Sequence, residues 1–171
     1  RSSAASDVYK RQDKERTVYQ AAHYELVASA MAIKEGHAID PSMMIGCMIA
    51  MTPIYPYSCN PDDMLKAVGA NHKRFWYMDV HARGRYPGYM KSFFERKNFN
   101  LDITEEDLAV LPQGTVDYIG FSYYMSNTVD SNSIRDVSTT TDGSSEHSVK
   151  NPYIKETDWG CKMGNSIRES F

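Results

Sequence analysis

Apolar residues recur along this chain at two different periods, and the switches between them predict its elements. From Thr17 to Glu35, Val18, Ala22, Leu26, Ala30 and Ile33 fall at helical spacing, and Gly36 stands where a helix C-terminus favours a residue that tolerates positive φ. Asp40-Pro41 then breaks the chain. MIGCMIAM, Met44 to Met51, follows as a near-continuous apolar run of strand length, closed by Thr52-Pro53. Asn60-Pro61-Asp62-Asp63 predicts the next helix start, with an N-cap asparagine, proline at the first helical position and carboxylates in the positive first turn. That helix is expected to reach about Val80. Gly84 and Tyr86-Pro87-Gly88 separate it from a second piece, Tyr89 to Asn98, which turns Tyr89, Phe93 and Phe94 toward a core. Thr104 with Asp107 three residues later predicts a capping box in which Asp replaces Glu, opening a short helix that Pro112 ends. Gly114 leads into a second apolar strand within DYIGFSYYMS, Asp117 to Ser126.

The repeating unit is therefore helix then strand, with strands apolar on both faces, which predicts an α/β fold with a parallel sheet covered by helices. The second strand ends in a pair of tyrosines, Tyr123 and Tyr124, whose hydroxyls need a polar environment, so the sequence places a site at its C-terminal end. From Ser126 to Ser148 serines and threonines dominate, predicting a long loop (about 126–150) on the same side as those tyrosines. Two strands are too few to close a sheet or to protect its edges, so the pattern is that of part of a larger fold. Residues 1–16 are polar and aperiodic and are expected to lie outside the folded region at 17–160.

Composition narrows the possibilities. At 171 residues and 42% hydrophobic, the chain has material for one domain with a core. Nineteen basic against 22 acidic residues give a net charge of −3, which supplies no footprint for nucleic acid or an anionic membrane. No apolar run approaches the roughly 18 residues of a membrane span, and no secretion signal opens the chain, so a soluble, cytoplasmic protein is expected. Cys47, Cys59 and Cys161 show no CxxC spacing, and His23, His37, His72, His81 and His147 show no metal-ligand spacing. No metal site is expected, and no Gly-rich phosphate loop is present. The carboxylates at Asp62-Asp63 and Glu105-Glu106-Asp107 sit in helical first turns, where the macrodipole accounts for them. The basic pairs Lys73-Arg74, Arg83 with Arg85, and Arg96-Lys97 read as solvated helix faces.

Four separated runs, YQAAHYELVASAMAIKEG, MIGCMIAMTPIYPYSCNPDD, DYIGFSYYMS and NPYIKETDWG, resemble the middle of a glycoside hydrolase of family one, most closely its 6-phospho-β-glucosidase branch, over about Val18 to Gly160. The resemblance implies a (β/α)8 barrel, of which this chain would supply about two β/α units, strands five and six with flanking helices, with the site at the C-terminal strand ends. It implies retaining hydrolysis by two glutamates about 5 Å apart acting on a sugar phosphate. The family's Asn-Glu and Glu-Asn-Gly motifs, which carry those glutamates, do not occur in this sequence, so no catalytic residue is assigned and the chain alone is expected to be inactive. The family's Gly-x-Asn-Tyr-Tyr pattern matches Gly120, Ser122, Tyr123 and Tyr124. By resemblance Tyr124 would orient the nucleophile, and Ser122 and Tyr123 would line the substrate site; Ser122 in place of asparagine points to the 6-phospho branch. After Gly160 the sequence departs from the family pattern, so residues 161–171 are expected to be a divergent tail. The alternatives are a non-catalytic partial barrel that binds sugar or a partner, and part of a plain β-glucosidase. Oligomeric state is not legible.

Overall fold

A computed structural model describes residues 14–123, 125–134, 147–153, 156–157 and 160–161. The order of elements is α1 (Lys14–Ile39), β1 (Gly46–Met51), β2 (Ile54–Pro56), α2 (Pro61–Arg83), α3 (Gly88–Arg96), α4 (Glu105–Val110) with a 3-10 turn at Leu111–Gln113, then β3 (Tyr118–Tyr123), β4 (Asn127–Val129), β5 (Ser148–Val149), β6 (Glu156–Thr157) and β7 (Gly160–Cys161). The two strands expected from apolar runs are hydrogen-bonded neighbours, β1 with β3. A second sheet has the order β2-β4-β5, with β2 parallel to β4 and β4 antiparallel to β5. The result is a partial α/β structure with no closed barrel among the described residues.

The chain divides into two compact units, Arg1–Cys47 with Trp76–Ile119, and Met48–Phe75 with Gly120–Phe171. In the first, the helical period of α1 presents Tyr19, Ala22, Leu26, Val27 and Ala30 to a core that also takes Trp76, Val80, Tyr86, Met90, Phe93, Phe94 and Leu111. Trp76 and Tyr86 stack at 5.6 Å, and Tyr19 meets Phe93 and Phe94 at 5.3 and 5.4 Å. The fully buried His23 lies 2.9 Å from the Tyr86 hydroxyl through Nδ1 and donates from Nε2 to Asp107 at 3.2 Å. Asp107 also closes the capping box with Thr104, the Thr104 N–H donating to its carboxylate and the Asp107 N–H donating to Thr104 Oγ1. Thr104's N–H and hydroxyl, then His23, hold Asp107 below the usual carboxylate range. Asp117 accepts from His37 Nε2 and from the Ile45 N–H, which ties the approach to β3 to that of β1.

In the second unit a small cluster, Ile54, Ala67 and Val129, packs one face of the β2-β4 pair against α2. Polar contacts accompany it among the described residues. The buried Asp63 accepts from Ser58 Oγ at 2.6 Å and from the Ser131 N–H at 2.7 Å, and these bonds lower its pKa to about 2. Lys66 Nζ donates to His147 Nε2 at 2.9 Å, while His147 Nδ1 donates to the Ser133 carbonyl at 2.6 Å.

Several boundaries differ from the sequence reading. The first helix begins three residues earlier and ends four later than 17–35, and Gly36 lies inside it. Gly36 does not take a positive φ, and a Cβ there would meet only the movable tip of the Ile45 side chain, at 2.5 Å, so its expected role as a left-handed C-terminal residue is not the one it plays. The second helix runs past Val80 to Arg83 and stops at Gly84, whose φ is +61°. Pro112 falls inside a 3-10 continuation of α4. The predicted loop over 126–150 contains β4 and β5, and the count of two strands is too low: Thr128 and Val129 are β-branched residues that pair with β2 despite their polar surroundings. The strands are also not buried on both faces. Met48 is 71% exposed and Phe121 54%, because the described residues supply no second layer over that side.

Candidate functional site

The C-terminal ends of β1 and β3 lead toward β2 and β4, so the hydrogen-bonded pair β1-β3 is followed along the chain by the parallel pair β2-β4, with Thr52-Pro53 between β1 and β2. The Asn127 N–H donates to the Pro53 carbonyl and the Tyr57 N–H to that of Val129, extending the ladder at both ends of the β2-β4 pairing. Asn71 of α2 completes the edge of β2: its Oδ1 accepts from the Ile54 N–H at 3.0 Å and its Nδ2 donates to the Ile54 carbonyl at 2.7 Å. Arg74, one turn on, donates to the buried Thr52 hydroxyl at 2.9 Å. Two side chains of α2 thus fix the backbone where β1 hands over to β2.

Ser122 and Tyr123 sit on the last two positions of β3, both half-buried. Ser122 Oγ lies 3.5 Å from Met48 Sδ, a weak contact that leaves the hydroxyl's bonding capacity largely unused. Tyr123 stands near Tyr55, whose phenol is raised above its ordinary pKa first by burial and then by Tyr123. Tyr124 lies outside the described residues. The structure therefore gathers Ser122 and Tyr123 at one strand end, beside Tyr55. Sequence reasoning singled out none of Tyr55, Thr128 and Asn71, and it read Arg74 as part of a solvated helix face, whereas its guanidinium reaches the buried Thr52 hydroxyl. A three-residue strand is too short to show a period, and the roles of Asn71 and Arg74 depend on tertiary approach.

This end of the unit offers hydroxyls and aromatic faces, groups that bind and orient a polyhydroxylated molecule. Among the described residues no three His, Cys, Asp or Glu side chains converge as a metal site. Three carboxylates are committed elsewhere, Asp63 to two loop donors and Asp107 and Asp117 to a cap and a strand approach. Among the described residues no helix is long and apolar enough to cross a membrane.

Comparison with known proteins agrees with the resemblance. The profile of glycosyl hydrolase family 1 matches residues 6–170. The chain is 43% identical over 154 residues to the aryl-phospho-beta-D-glucosidase BglA of Bacillus subtilis (strain 168), covering 90% of this chain and 32% of that protein. It is 40% identical to a 6-phospho-beta-glucosidase of Clostridium longisporum, over 85% of this chain and 30% of the relative. The chain thus spans about a third of the length of the curated relatives it matches. Among solved structures, the virulence factor SghA from Agrobacterium tumefaciens superposes with a TM-score of 0.66 at 20% identity, over 91% of this chain and 34% of that one, a likeness of fold.

Proposed function

Because the chain belongs to glycosyl hydrolase family 1, whose members fold as (β/α)8 barrels, we propose that it forms part of the wall of a retaining hydrolase of phosphorylated β-glucosides, contributing strands five and six. One observation carries this reading: the match to proteins named as phospho-β-glucosidases at 40–43% identity across 85–90% of the chain. In retaining hydrolysis one carboxylic acid protonates the leaving oxygen while a carboxylate about 5 Å away attacks the anomeric carbon, and water then releases the sugar. Acid, nucleophile and water suffice, so the reaction asks for no metal or organic cofactor. This sequence carries neither the Asn-Glu nor the Glu-Asn-Gly motif, so its own contribution is to position groups and substrate. Tyr124 would donate a hydrogen bond to the nucleophilic carboxylate, which fixes its direction and favours its ionised form. Ser122 and Tyr123 would face the sugar. A cytoplasmic setting fits a substrate whose phosphate charge opposes passage through a bilayer.

The test compares hydrolysis of 4-nitrophenyl β-D-glucoside 6-phosphate and of the unphosphorylated glucoside. The chain alone should match buffer with both. A polypeptide containing it together with both glutamate motifs should prefer the phosphorylated substrate, and there Tyr124→Phe should lower kcat more than it raises KM. Preference for the unphosphorylated glucoside, or turnover by the chain alone, would overturn the proposal.

A further inference from the structure

Residues 52–54, where β1 hands over to β2, are gripped from one side of a single helix. Ala67, Asn71 and Arg74 recur at i, i+4 and i+7, so they share a face of α2, and Ala67 packs there on Ile54. β2 is an edge strand of its sheet and only three residues long. Its ladder to β4 is continued by the Pro53 carbonyl and the Tyr57 N–H, so by alternation Ile54 and Pro56 turn their backbone groups outward, away from β4. Proline brings no N–H to that edge, and Asn71 takes both groups of Ile54, accepting from its N–H at 3.0 Å and donating to its carbonyl at 2.7 Å. The same amide donates to the Ala67 carbonyl at 3.0 Å, so it is anchored in its own helix while it holds the strand. Arg74 adds a charge-assisted bond to the buried Thr52 hydroxyl at 2.9 Å. No strand covers this edge among the described residues, so two side chains of α2 set where the handover lies.

The grip is passed on to β4. The Pro53 carbonyl, in the middle of the held segment, accepts from the Asn127 N–H at 2.9 Å. Asn127 opens β4 just after the strand end that carries Ser122 and Tyr123, so the exit from that strand end is tied to the segment that α2 holds. We propose that Asn71 and Arg74 are positioning residues for the sugar site: through residues 52–54 and Asn127 they fix where Ser122 and Tyr123 stand, without touching substrate themselves. The consequence for the sugar rests on the hydrolase reading, whereas the placement of Asn127 and Ser122 does not. Side chains that line a sugar contact it in the ground state and the transition state alike, so displacing them weakens binding more than it slows the chemistry.

Two measurements test this. In amide NMR spectra of the isotopically labelled chain, Arg74→Met and Asn71→Ala should each shift the Asn127 and Ser122 signals, and Leu65→Ala, at an exposed position of the same helix, should shift neither. In a polypeptide that joins this chain to both glutamate motifs, Arg74→Met should raise KM for 4-nitrophenyl β-D-glucoside 6-phosphate about 3- to 10-fold and leave kcat within about 2-fold. Arg74→Lys, which keeps a donor for Thr52, should restore most of the lost affinity. Thr52→Val should reproduce the rise in KM, and combining it with Arg74→Met should raise KM no further, because both remove one bond. Thr52→Val also tests the contact from the strand side if Arg74→Met does not fold. Unmoved Asn127 and Ser122 signals would overturn the positioning, whatever the activity. Signals that move while KM holds, or losses that multiply in the double variant, would overturn the site role and leave α2 a support of stability alone. If the joined polypeptide without substitutions leaves the phosphorylated glucoside intact, the hydrolase reading itself fails and takes the site role with it.

Discussion

The two units of this chain are held together by different chemistry. The first is packed around aromatic rings: among the described residues twelve buried side chains cluster there, Trp76 among them at 0% exposure, whereas the cluster described in the second unit has three. Each large apolar side chain buried is worth roughly 1.5–3 kcal/mol, and a typical hydrogen bond nets about 0.5–1.5 kcal/mol. Burial therefore dominates the first unit, and direction dominates the second, where Asp63, Asn71, Arg74 and the Lys66–His147 pair fix loops and strand ends with little apolar area beneath them. The unit that bears the candidate site is the one whose geometry depends on polar bonds. Such an arrangement places hydroxyls and rings accurately and gives up stability to do so.

Core truncations should break the comparison most visibly. Trp76→Ala removes an indole from the centre of the first unit and should cost about 3–5 kcal/mol, measured as a fall in the urea midpoint. Val129→Ala, at 1% exposure in the second unit, should cost about 1–2 kcal/mol, the transfer energy of the lost methyl groups. Equal losses would mean that the smaller cluster carries more than its size allows.

Acid should act on the second unit through Asp63, with a smaller effect. Its folded pKa of about 2 lies below an unfolded value of about 3.9, so its contribution is fully present above the unfolded value and is lost as pH falls from about 5 toward 2. The Ser131 amide, which donates to Asp63, should report a titration near pH 2 in NMR spectra, and Asp63→Asn should abolish that step. Asp107 and Asp117, also lowered, act in the first unit, so a residue-specific probe keeps the responses apart. A midpoint near 4 at Ser131 would show that the buried carboxylate does not hold the loop.

How much of this was legible in the sequence follows from the range of the forces involved. Helices declared themselves because their signals are local: the capping box at Thr104 and Asp107 is formed as its spacing predicts, and Asn60 accepts from the Asp62 N–H and, through its carbonyl, from that of Met64. Phe93 and Phe94 are buried as expected, while Tyr89 is half-buried and bonds Asp79. The pairing of the two apolar strands was also legible, because a long apolar run has few other places to go. What was missed is non-local or short. Three-residue strands such as β2 and β4 are too brief for a period to emerge, and Asp63 looked like a first-turn carboxylate although Ser131, 68 residues away, completes its coordination. Of the candidate site, Ser122 and Tyr123 came from a family pattern, and their neighbour Tyr55 became visible only through the fold.

Native-state hydrogen exchange tests the contrast between the units most directly. Amides of Leu26 and Ala30 in α1, beneath the aromatic core, should exchange only through the largest openings. Those of Tyr57 and Asn127, which bond the Val129 and Pro53 carbonyls, should exchange at least about 10-fold faster after correction for intrinsic rates, a difference of roughly 1.4 kcal/mol in opening free energy. Equal protection at all four amides, lost together at one urea concentration, would contradict the account, since it would make the chain a single cooperative structure in which the polar-held unit is as stable as the aromatic one.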